Sequence, residues 1–299
     1  MNSFLGDIKN SFNKKDNALI QLIIINVAVF IGVNLLYTIT FLANTGPELY
    51  DSILKWLAVP SSLSKLITRP WTVITYMFLH EGFFHILFNM LWLFWLGKIL
   101  VEYLGNKKLI STYVLGGISG GLVYIIAFNV FPAFQGMTEY SYALGASAGV
   151  LAVVIATATL IPDYSIHLLF LGPVKLKYIA MFSIVIDVIS IGKGNSGGHI
   201  AHLGGAIFGF IYIKQLQKGN DLASRFNKIM DSMSSMFSSK SNLKVSHKSA
   251  SKTASTMASS SSTPDQEVID TILDKIAKSG YDSLSKEEKD ILFRASNRD

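Results

Sequence analysis

The chain has 299 residues, of which half are hydrophobic and only 15% are charged, and its formal net charge is +6. Soluble domains usually carry about a quarter charged residues, so this composition, with a mean hydropathy of +0.41, indicates a polytopic membrane protein. The absence of cysteine excludes disulfides, thiolate metal sites and cysteine nucleophiles. Most basic residues flank apolar runs, which is typical of membrane-orienting charge and argues against a nucleic-acid partner.

Six apolar runs are each close to the ~20 residues that a helix needs to cross the hydrocarbon core of a bilayer. We therefore predict an all-α membrane protein in which residues 18–216 form a bundle of six transmembrane helices. The predicted spans are 18–43, 80–104, 108–131, 145–162, 174–191 and 198–216. The first run exceeds a signal-peptide core of roughly 7–15 residues and has no evident cleavage site, so we expect it to remain as a span.

Basic residues in the short connections predict the orientation of these spans. Most of them share one side of the membrane, namely Lys9, Lys14, Lys15, Lys98, Lys107, Lys108, Lys175, Lys177, Lys214, Lys218, Arg225 and Lys228. The long first loop, with Lys55, Lys65 and Arg69, is the exception. The positive-inside rule places both termini, including segment 1–17, in the cytoplasm. With no targeting presequence evident, we expect a bacterial cytoplasmic membrane, and an organelle membrane is left open.

A serine and a histidine at matching depth are the most informative pair in the sequence. Ser147 lies in a Gly-Ala-Ser-Ala-Gly string at the outer start of the fourth span. His202 lies about one helical turn inside the outer start of the sixth span. Nucleophile-type and base-type side chains are costly within a bilayer, so we expect them to line a functional site. The string also resembles the nucleophile elbow of soluble hydrolases, but no strand precedes it here.

The second span opens with a further polar motif, again from the outer side. His85 and Asn89 are four residues apart, so they share one helix face. Both carry N–H donors, and acyl transfer needs donors where negative charge develops on the scissile carbonyl oxygen. Taken singly, these residues are also compatible with an intrahelical serine bond, a core histidine or an interhelical clamp. Their joint occurrence at one depth favours a site for peptide-bond hydrolysis inside the membrane.

These motifs resemble those of the rhomboid intramembrane serine proteases, over roughly residues 15–216. The motifs occur in the order typical of that family and on the corresponding spans. The positions that carry the resemblance are Trp71, His80, His85, Asn89, Gly145, Ser147, His202, Gly205 and Gly209.

The resemblance implies the roles of four residues. Ser147 would be the nucleophile, and His202 the general base and then the acid that protonates the leaving amine. The backbone N–H of Ser147, with His85 and Asn89, would form the oxyanion hole. The resemblance also implies a catalytic dyad that uses no metal or cofactor. We interpret the sequence as agreeing with a dyad, because no carboxylate stands beside the histidine motif to act as a third member.

Other matching positions are expected to give structural support. Gly205 and Gly209 would let the sixth span pack tightly against the fourth, and Gly145 would shape the approach to the serine. His80 and Trp71 are assigned to support of the first loop. The implied substrates are single-span membrane proteins, which would be cleaved near the outer face of the bilayer.

Several positions depart from the family pattern or lie beside it. Ala148 and Leu151 stand where the family commonly has glycine and an aromatic residue, and Thr72 stands where it commonly has arginine. Asp187, an intramembrane carboxylate near a loop, is expected to have a capping or hydrogen-bonding role rather than one in gating. His199 is expected to be loop-proximal and not catalytic.

The segment after the sixth span is predicted to be separate from the bundle. Residues 217–263 begin as a basic amphipathic segment, suited to the inner membrane surface, and continue from about 238 as a Ser-rich linker expected to be disordered. Residues 264–299 are predicted to form a small cytoplasmic helical hairpin with a capping box at 285–288. Three roles are open for this hairpin: docking on a cytoplasmic partner, docking on the membrane domain, or acting as an independent regulatory module.

Two other functions compete with the protease hypothesis. A non-catalytic rhomboid-like protein that binds and escorts transmembrane helices would be expected to lack the serine–histidine pair. A small-solute transporter would be expected to have midplane polar residues and interrupted helices, whereas the polar cluster here lies towards one surface. The partners of an escort protein would be the lipid bilayer and transmembrane proteins. Those of a transporter would be the bilayer and small solutes.

Overall fold

The computed structural model describes residues 17–168, 172–237 and 266–296, together with Gly6, Asn10 and Lys14. The described part is mostly helical. Contacts divide the chain into two units, Met1–Ser239 and Lys240–Asp299. The predicted disordered linker, 238–263, lies outside the described residues.

The first unit contains ten α-helices and four short strands among its described residues. The helices are α1 (Ala18–Leu42), α2 (Pro47–Leu57), α3 (Leu63–Thr68), α4 (Thr72–Thr75), α5 (Phe83–Leu104), α6 (Asn106–Val130), α7 (Ser147–Leu160), α8 (Leu176–Ser190), α9 (Ser196–Gln217) and α10 (Ser224–Phe237). Single 3₁₀ turns occupy Tyr76–Phe78 and Pro132–Phe134. The strands are β1 (Val59–Pro60), β2 (Tyr142–Ala143), β3 (Ser165–Leu168) and β4 (Gly172–Lys175).

Three of these helices, α1, α5 and α6, are long and apolar enough to cross a membrane. Helix α7 is equally apolar but has 14 residues, and α8 has 15. Each of the six predicted spans overlaps one helix, but α5, α7 and α8 are three or four residues shorter than predicted. The fourth predicted span starts at 145, whereas α7 starts at Ser147, because Gly145 has a φ of +134° that no helix contains.

Two antiparallel strand pairs were not predicted from the sequence. In one, β1 pairs with β2 so that Val59 lies opposite Ala143, which ties the first loop to the segment that leads into α7. In the other, β3 and β4 form a hairpin between α7 and α8. This hairpin occupies residues 172–175, where the fifth span was predicted to begin, so α8 starts only at Leu176.

Helix α7 lies at the centre of the bundle. Every residue from Ala148 to Ala158 is buried, which fits a helix that is hydrophobic all round. Helices α5, α6, α8 and α9 pack around it, and α9 packs extensively on both α6 and α7. Helix α7 is therefore held in place by the helices that surround it.

Glycines allow α9 and α6 to approach α7 at backbone distance. A Cβ added to Gly205 would lie 2.0 Å from the carbonyl oxygen of Ala148, and one at Gly209 would lie 2.3 Å from that of Ala152. A Cβ at Gly120 of α6 would lie 2.5 Å from the Ala148 Cβ and 2.7 Å from the carbonyl oxygen of Ala201 in α9, so the three helices meet there. Small residues at four-residue spacing permit this kind of close helix packing in lipid.

The second unit contains α11 (Gln266–Ser279) and α12 (Lys286–Ser296), joined through a 3₁₀ turn at Tyr281–Ser283. The predicted capping box is confirmed. The N–H of Ser285 donates to Glu288 Oε2 at 2.7 Å, and the N–H of Glu288 donates to Ser285 Oγ at 3.2 Å. These bonds fix the start of α12, and the hydrogen bond from Ser285 holds the pKa of Glu288 below its usual range.

Candidate functional site: a serine, two histidines and an aspartate

Ser147 is the first residue of α7, and the chain immediately before it is tightly constrained. The N–H of Gly145 donates to the carbonyl oxygen of Tyr76 at 2.9 Å, which anchors the approach to the helix. A Cβ at Gly145 would lie 3.1 Å from the His85 ring and 3.4 Å from Ser147 Oγ, at a φ that favours glycine. Glycine at this position therefore keeps the serine and the His85 ring close together.

His202 faces Ser147 across the tight α7–α9 contact. Its Nε2 lies 2.6 Å from Ser147 Oγ, which is hydrogen-bond distance. Because α9 starts at Ser196, His202 is in the second turn of that helix, and Gly205 brings this turn against α7. A hydroxyl and an imidazole nitrogen in this relation form a nucleophile–base pair.

Asp187 lies on the other side of the His202 ring. Its Oδ1 is 2.8 Å from His202 Nδ1 and also 2.8 Å from His199 Nδ1. The carboxylate is buried, with only 6% of the residue exposed. The expectation that no carboxylate stands beside the histidine motif is therefore wrong. His199 lies in the first turn of α9, next to the loop as expected, and its contact with Asp187 was not predicted. The expected hydrogen-bonding role of Asp187 is confirmed, but its partners are two histidines.

A signal for this contact was present in the sequence. Helices α8 and α9 are joined by a short turn over residues 191–195, so they run antiparallel. Asp187 and His199 are equally far from Lys193 in the middle of that turn, and His202 follows His199 by about one helical turn, so consecutive antiparallel helices bring these positions to neighbouring depths. The cap of α9 is supplied by Asn195, whose Oδ1 accepts a hydrogen bond from the N–H of Gly198 at 3.2 Å.

His85 and Asn89 lie on one face of α5, close to the serine. The His85 ring contacts the Gly145 position, and Asn89 lines the same cavity as Ser147. The Asn89 Nδ2 donates to the carbonyl oxygen of His85 at 2.9 Å, within its own helix. The His85 ring thus lies beside the residue that precedes Ala146 and Ser147, Asn89 shares the cavity with the serine, and the amide of Asn89 donates within its own helix.

His80 and Trp71 occupy different surroundings. The buried His80 ring lies edge-on to His85, with centroids 5.1 Å apart, and its two nitrogens have no hydrogen-bond partner among the described residues. Trp71 lies in the first loop, where it stacks on Trp56 at 5.7 Å and donates from Nε1 to the Trp56 carbonyl at 2.9 Å. The structure thus places His80 behind the site and Trp71 in the loop.

A cavity of about 850 Å³ adjoins the serine and lies between α5, α7 and α8. Its walls are mostly apolar, and they include Trp92, Leu151, Val154, Tyr178 and Phe182. The polar side chains of Asn89, Ser147, Asp187 and His202 also line it. Leu151 lies in this wall, at the position where the family that the motifs resemble commonly has an aromatic residue. The arrangement offers an apolar volume with a nucleophile-type serine and a base-type histidine along its surface.

Charged groups near the α7–α8 connection lie away from this site. Lys177 and Lys175 donate to Asp163 Oδ1 at 2.8 Å and 3.0 Å. These hydrogen bonds, with that of Lys177 the stronger, hold the pKa of the Asp163 carboxyl below its usual range. The ion pairs tie the ends of the β3–β4 hairpin together.

Sequence comparisons connect this geometry to known proteins. The profile of the rhomboid domain matches residues 68–218, just over half of the chain. A second profile, of a family of unknown function (DUF6576), matches residues 260–298. The second match covers the helical pair of the C-terminal unit.

Three curated relatives illustrate the range of the match. The chain is 30% identical over 160 residues to RHOMBOID-like protein 12, mitochondrial, of Arabidopsis thaliana, covering 50% of this chain and 48% of that protein. It is 26% identical over 170 residues to Presenilin-associated rhomboid-like protein, mitochondrial, of Rattus norvegicus, covering 56% and 43%. It is 34% identical over 94 residues to Rhomboid protease GlpG of Salmonella newport (strain SL254), covering 31% and 33%. The chain thus spans half or less of the length of these relatives.

The comparisons bear on the predicted location of the protein. Two of the three are named as mitochondrial, so they give no support to the expected bacterial cytoplasmic membrane. The domain match and the apolar helices do establish an integral membrane protein. The chain belongs to the rhomboid family.

Proposed function

We propose that the protein is an intramembrane serine endopeptidase in which Ser147 is the nucleophile and His202 is the general base. The observation that carries this proposal is the 2.6 Å distance between Ser147 Oγ and His202 Nε2. A half-buried hydroxyl and a half-buried imidazole at this distance, beside a large apolar cavity, have the geometry that acyl transfer requires. The name of the Salmonella relative, a rhomboid protease, agrees with this chemistry.

The reaction follows from the positions of these two groups. His202 Nε2 accepts the Ser147 proton as Oγ forms a bond to the scissile carbonyl carbon. The tetrahedral intermediate collapses when the peptide C–N bond breaks and the imidazolium returns the proton to the leaving amine. Water, deprotonated in turn by His202, then hydrolyses the acyl ester and releases the second product.

The developing oxyanion is assigned to the start of α7. The N–H of Ser147 lies in the first turn, whose amide groups have no intrahelical acceptor and whose dipole favours negative charge. His85 and Asn89 supply side-chain donors from α5. The Asn89 amide is bonded to its own helix here, and it turns towards the carbonyl oxygen when substrate is bound.

The proposed substrates are single-span membrane proteins. An apolar cavity of about 850 Å³ accepts a stretch of polypeptide with small side chains, provided that its helix is unwound at the scissile bond. In the six-span arrangement that we propose, both termini are cytoplasmic and the starts of α7 and α9 lie towards the outer side. Cleavage is therefore expected near the outer end of the substrate helix.

The same proposal divides the chain into parts. Residues 18–216 form the membrane domain, 217–263 an amphipathic segment and linker, and 264–299 a cytoplasmic module. Support comes from the two profile matches. The rhomboid match ends at residue 218, and the second match begins at residue 260. The module is the candidate site for a cytoplasmic partner.

One reconstitution experiment tests the function. The protein is placed in liposomes with a single-span substrate, and cleavage by the wild type is compared with that by Ser147→Ala and His202→Ala. Each variant is expected to lose at least ~10⁴-fold in rate, because the two residues act as a unit. Thr159→Val serves as the control, since the Thr159 hydroxyl donates only within α7, to the Ile155 carbonyl at 2.7 Å.

Three outcomes are informative. Cleavage lost in both site variants and retained in the control supports the protease. Cleavage that survives in Ser147→Ala contradicts the mechanism. A wild type that binds the substrate helix without cutting it supports instead the escort function.

A further inference from the structure

We infer that Asp187 is a positioning residue that orients His202 for proton transfer, and that His199 in turn holds Asp187. This inference rests on the proposed function and goes beyond the expected dyad. Three side chains from α8 and α9, together with Ser147, then form one hydrogen-bonded chain. The chain runs from the serine hydroxyl through the His202 ring to the Asp187 carboxylate.

The distances assign a role to each nitrogen of His202. Nδ1 lies 2.8 Å from Asp187 Oδ1, and a carboxylate oxygen can only accept, so Nδ1 carries the proton. Nε2 is then unprotonated and faces the Ser147 hydroxyl at 2.6 Å. This tautomer is the one that can remove the serine proton. In a pair without the carboxylate, nothing on the Nδ1 side would select it.

Burial makes this arrangement informative. An intramembrane carboxylate is costly and needs compensating donors. Asp187 receives two, since the Nδ1 atoms of both His199 and His202 lie 2.8 Å from the same oxygen. When His202 accepts the serine proton it becomes a cation beside this carboxylate, which lowers the energy of the charged intermediate.

The fold directs Asp187 inward. The buried residues of α8 are Leu176, Ile179, Ala180 and Asp187. They recur at helical spacing and define the face of α8 that packs on the bundle, whereas the adjacent Val188 is exposed. Asp187 is thus the polar member of a packing face and meets His202 because α8 and α9 are antiparallel neighbours.

The same three side chains also resemble a metal-ligand set, since their candidate ligand atoms lie within 4.8 Å of one another. Both nitrogen–oxygen separations at Asp187 are 2.8 Å, however. Two ligands of a tetrahedral zinc ion, each bound at about 2.0–2.1 Å, are roughly 3.3 Å apart. The observed separations are those of direct hydrogen bonds, and a metal site is treated as an outcome of the test.

The first arm of the test measures kinetics in liposomes. Asp187→Asn and Asp187→Ala are expected to lower kcat by about 100-fold or more and to change KM by less than twofold, because substrate contacts are retained while the base is misoriented. His199→Phe keeps the ring volume, and its expected loss in kcat is smaller, at about 5–20-fold. Ser119→Ala is the matched control, since it removes a hydrogen bond between α6 and α9, to the Gly204 carbonyl at 2.9 Å.

The second arm does not depend on cleavage. In protein with ¹⁵N-labelled histidine in detergent micelles, the ring-nitrogen signals of His202, assigned with His202→Gln, should show a protonated Nδ1 and an unprotonated Nε2. In Asp187→Ala the Nε2-protonated form should become populated. Ser119→Ala should retain the wild-type signals. A spectrum that is identical in wild type and Asp187→Ala overturns the inference even if no substrate is ever cut.

The outcomes separate this inference from the proposed function. If Ser147→Ala is inactive while Asp187→Asn retains wild-type kcat, the protease stands and the positioning role fails. If Asp187→Asn loses kcat and the tautomer changes, both are supported. If wild-type activity is lost on chelation with EDTA and restored by Zn²⁺, the cluster is a metal site and the inference is overturned.

Discussion

Helices α7 and α8 are neighbours of similar length, yet they are buried very differently. All residues of α7 from Ala148 to Ala158 are buried, whereas most of α8 is exposed and only four of its residues are buried. One of those four is Asp187. The proposed nucleophile is half-buried and opens a helix that is packed on every side, whereas the residue proposed to orient its base stands on a helix with one packed face. The two helices pack on each other and are also linked through His202 of α9, whose ring lies 2.6 Å from Ser147 Oγ on α7 and 2.8 Å from Asp187 Oδ1 on α8.

The largest expected effect comes from filling the space that lets α9 reach α7. Gly205→Val places side-chain atoms where a Cβ alone would lie 2.0 Å from the Ala148 carbonyl oxygen. We expect a loss of about 3 kcal/mol in stability, because overpacking forces backbone shifts, together with loss of cleavage. Thermal unfolding in detergent measures the first effect.

The control for this variant is Gly32→Val in α1, where a Cβ would meet nothing within 4 Å. It should stay within about 0.5 kcal/mol of wild type. Equal destabilisation by the two substitutions would show that close α7–α9 packing is not what fixes the site.

A pair of matched truncations compares α7 with α8 directly. Ile155→Ala removes a side chain from the buried helix and should cost about 2–4 kcal/mol through the cavity that it leaves. Ile189→Ala removes the same atoms from a side chain of α8 that is 53% exposed, so its expected cost is below about 0.5 kcal/mol. Unfolding by denaturant titration in micelles measures both. A cost for Ile189→Ala that equals the cost for Ile155→Ala would break the comparison.

The smallest effect is expected at the connection between the two helices. Because the pKa of Asp163 is lowered in the folded state by Lys177 and Lys175, its stabilising contribution is complete above the unfolded pKa. That contribution is lost as the pH falls through the lowered folded value. Asp163→Asn should therefore speed amide exchange in β3 and β4 near neutral pH and have no further effect once the pH is below the folded pKa. Faster exchange of equal size at all pH values would contradict an origin in these exposed pairs.

Much of the site was predictable because its residues lie on helices whose apolar pattern is strong. The motifs, together with the helical rise, placed Ser147 and His202 at one depth, and His85 with Asn89 on one face. The contact between Asp187 and His202 was not predicted. Asp187 was judged by its nearness to a loop, although its distance from the turn matches that of His199 on the other side, and His202 follows one helical turn later. The strands β3 and β4 were missed because four-residue strands carry too short a pattern to distinguish from a connection.

Asp187 belongs at once to the catalytic constellation and to a wall of the cavity. In the proposed protease, any outward swing of α8 that admits a polypeptide also stretches the link to His202, because both events use the same helix. Substrate entry and alignment of the base are then coupled, because His202 regains its full alignment only when α8 closes on the bound polypeptide. With α8 in the outward position the enzyme would be inactive, because its base is misaligned. This would protect nearby lipid esters and other membrane proteins from attack by Ser147.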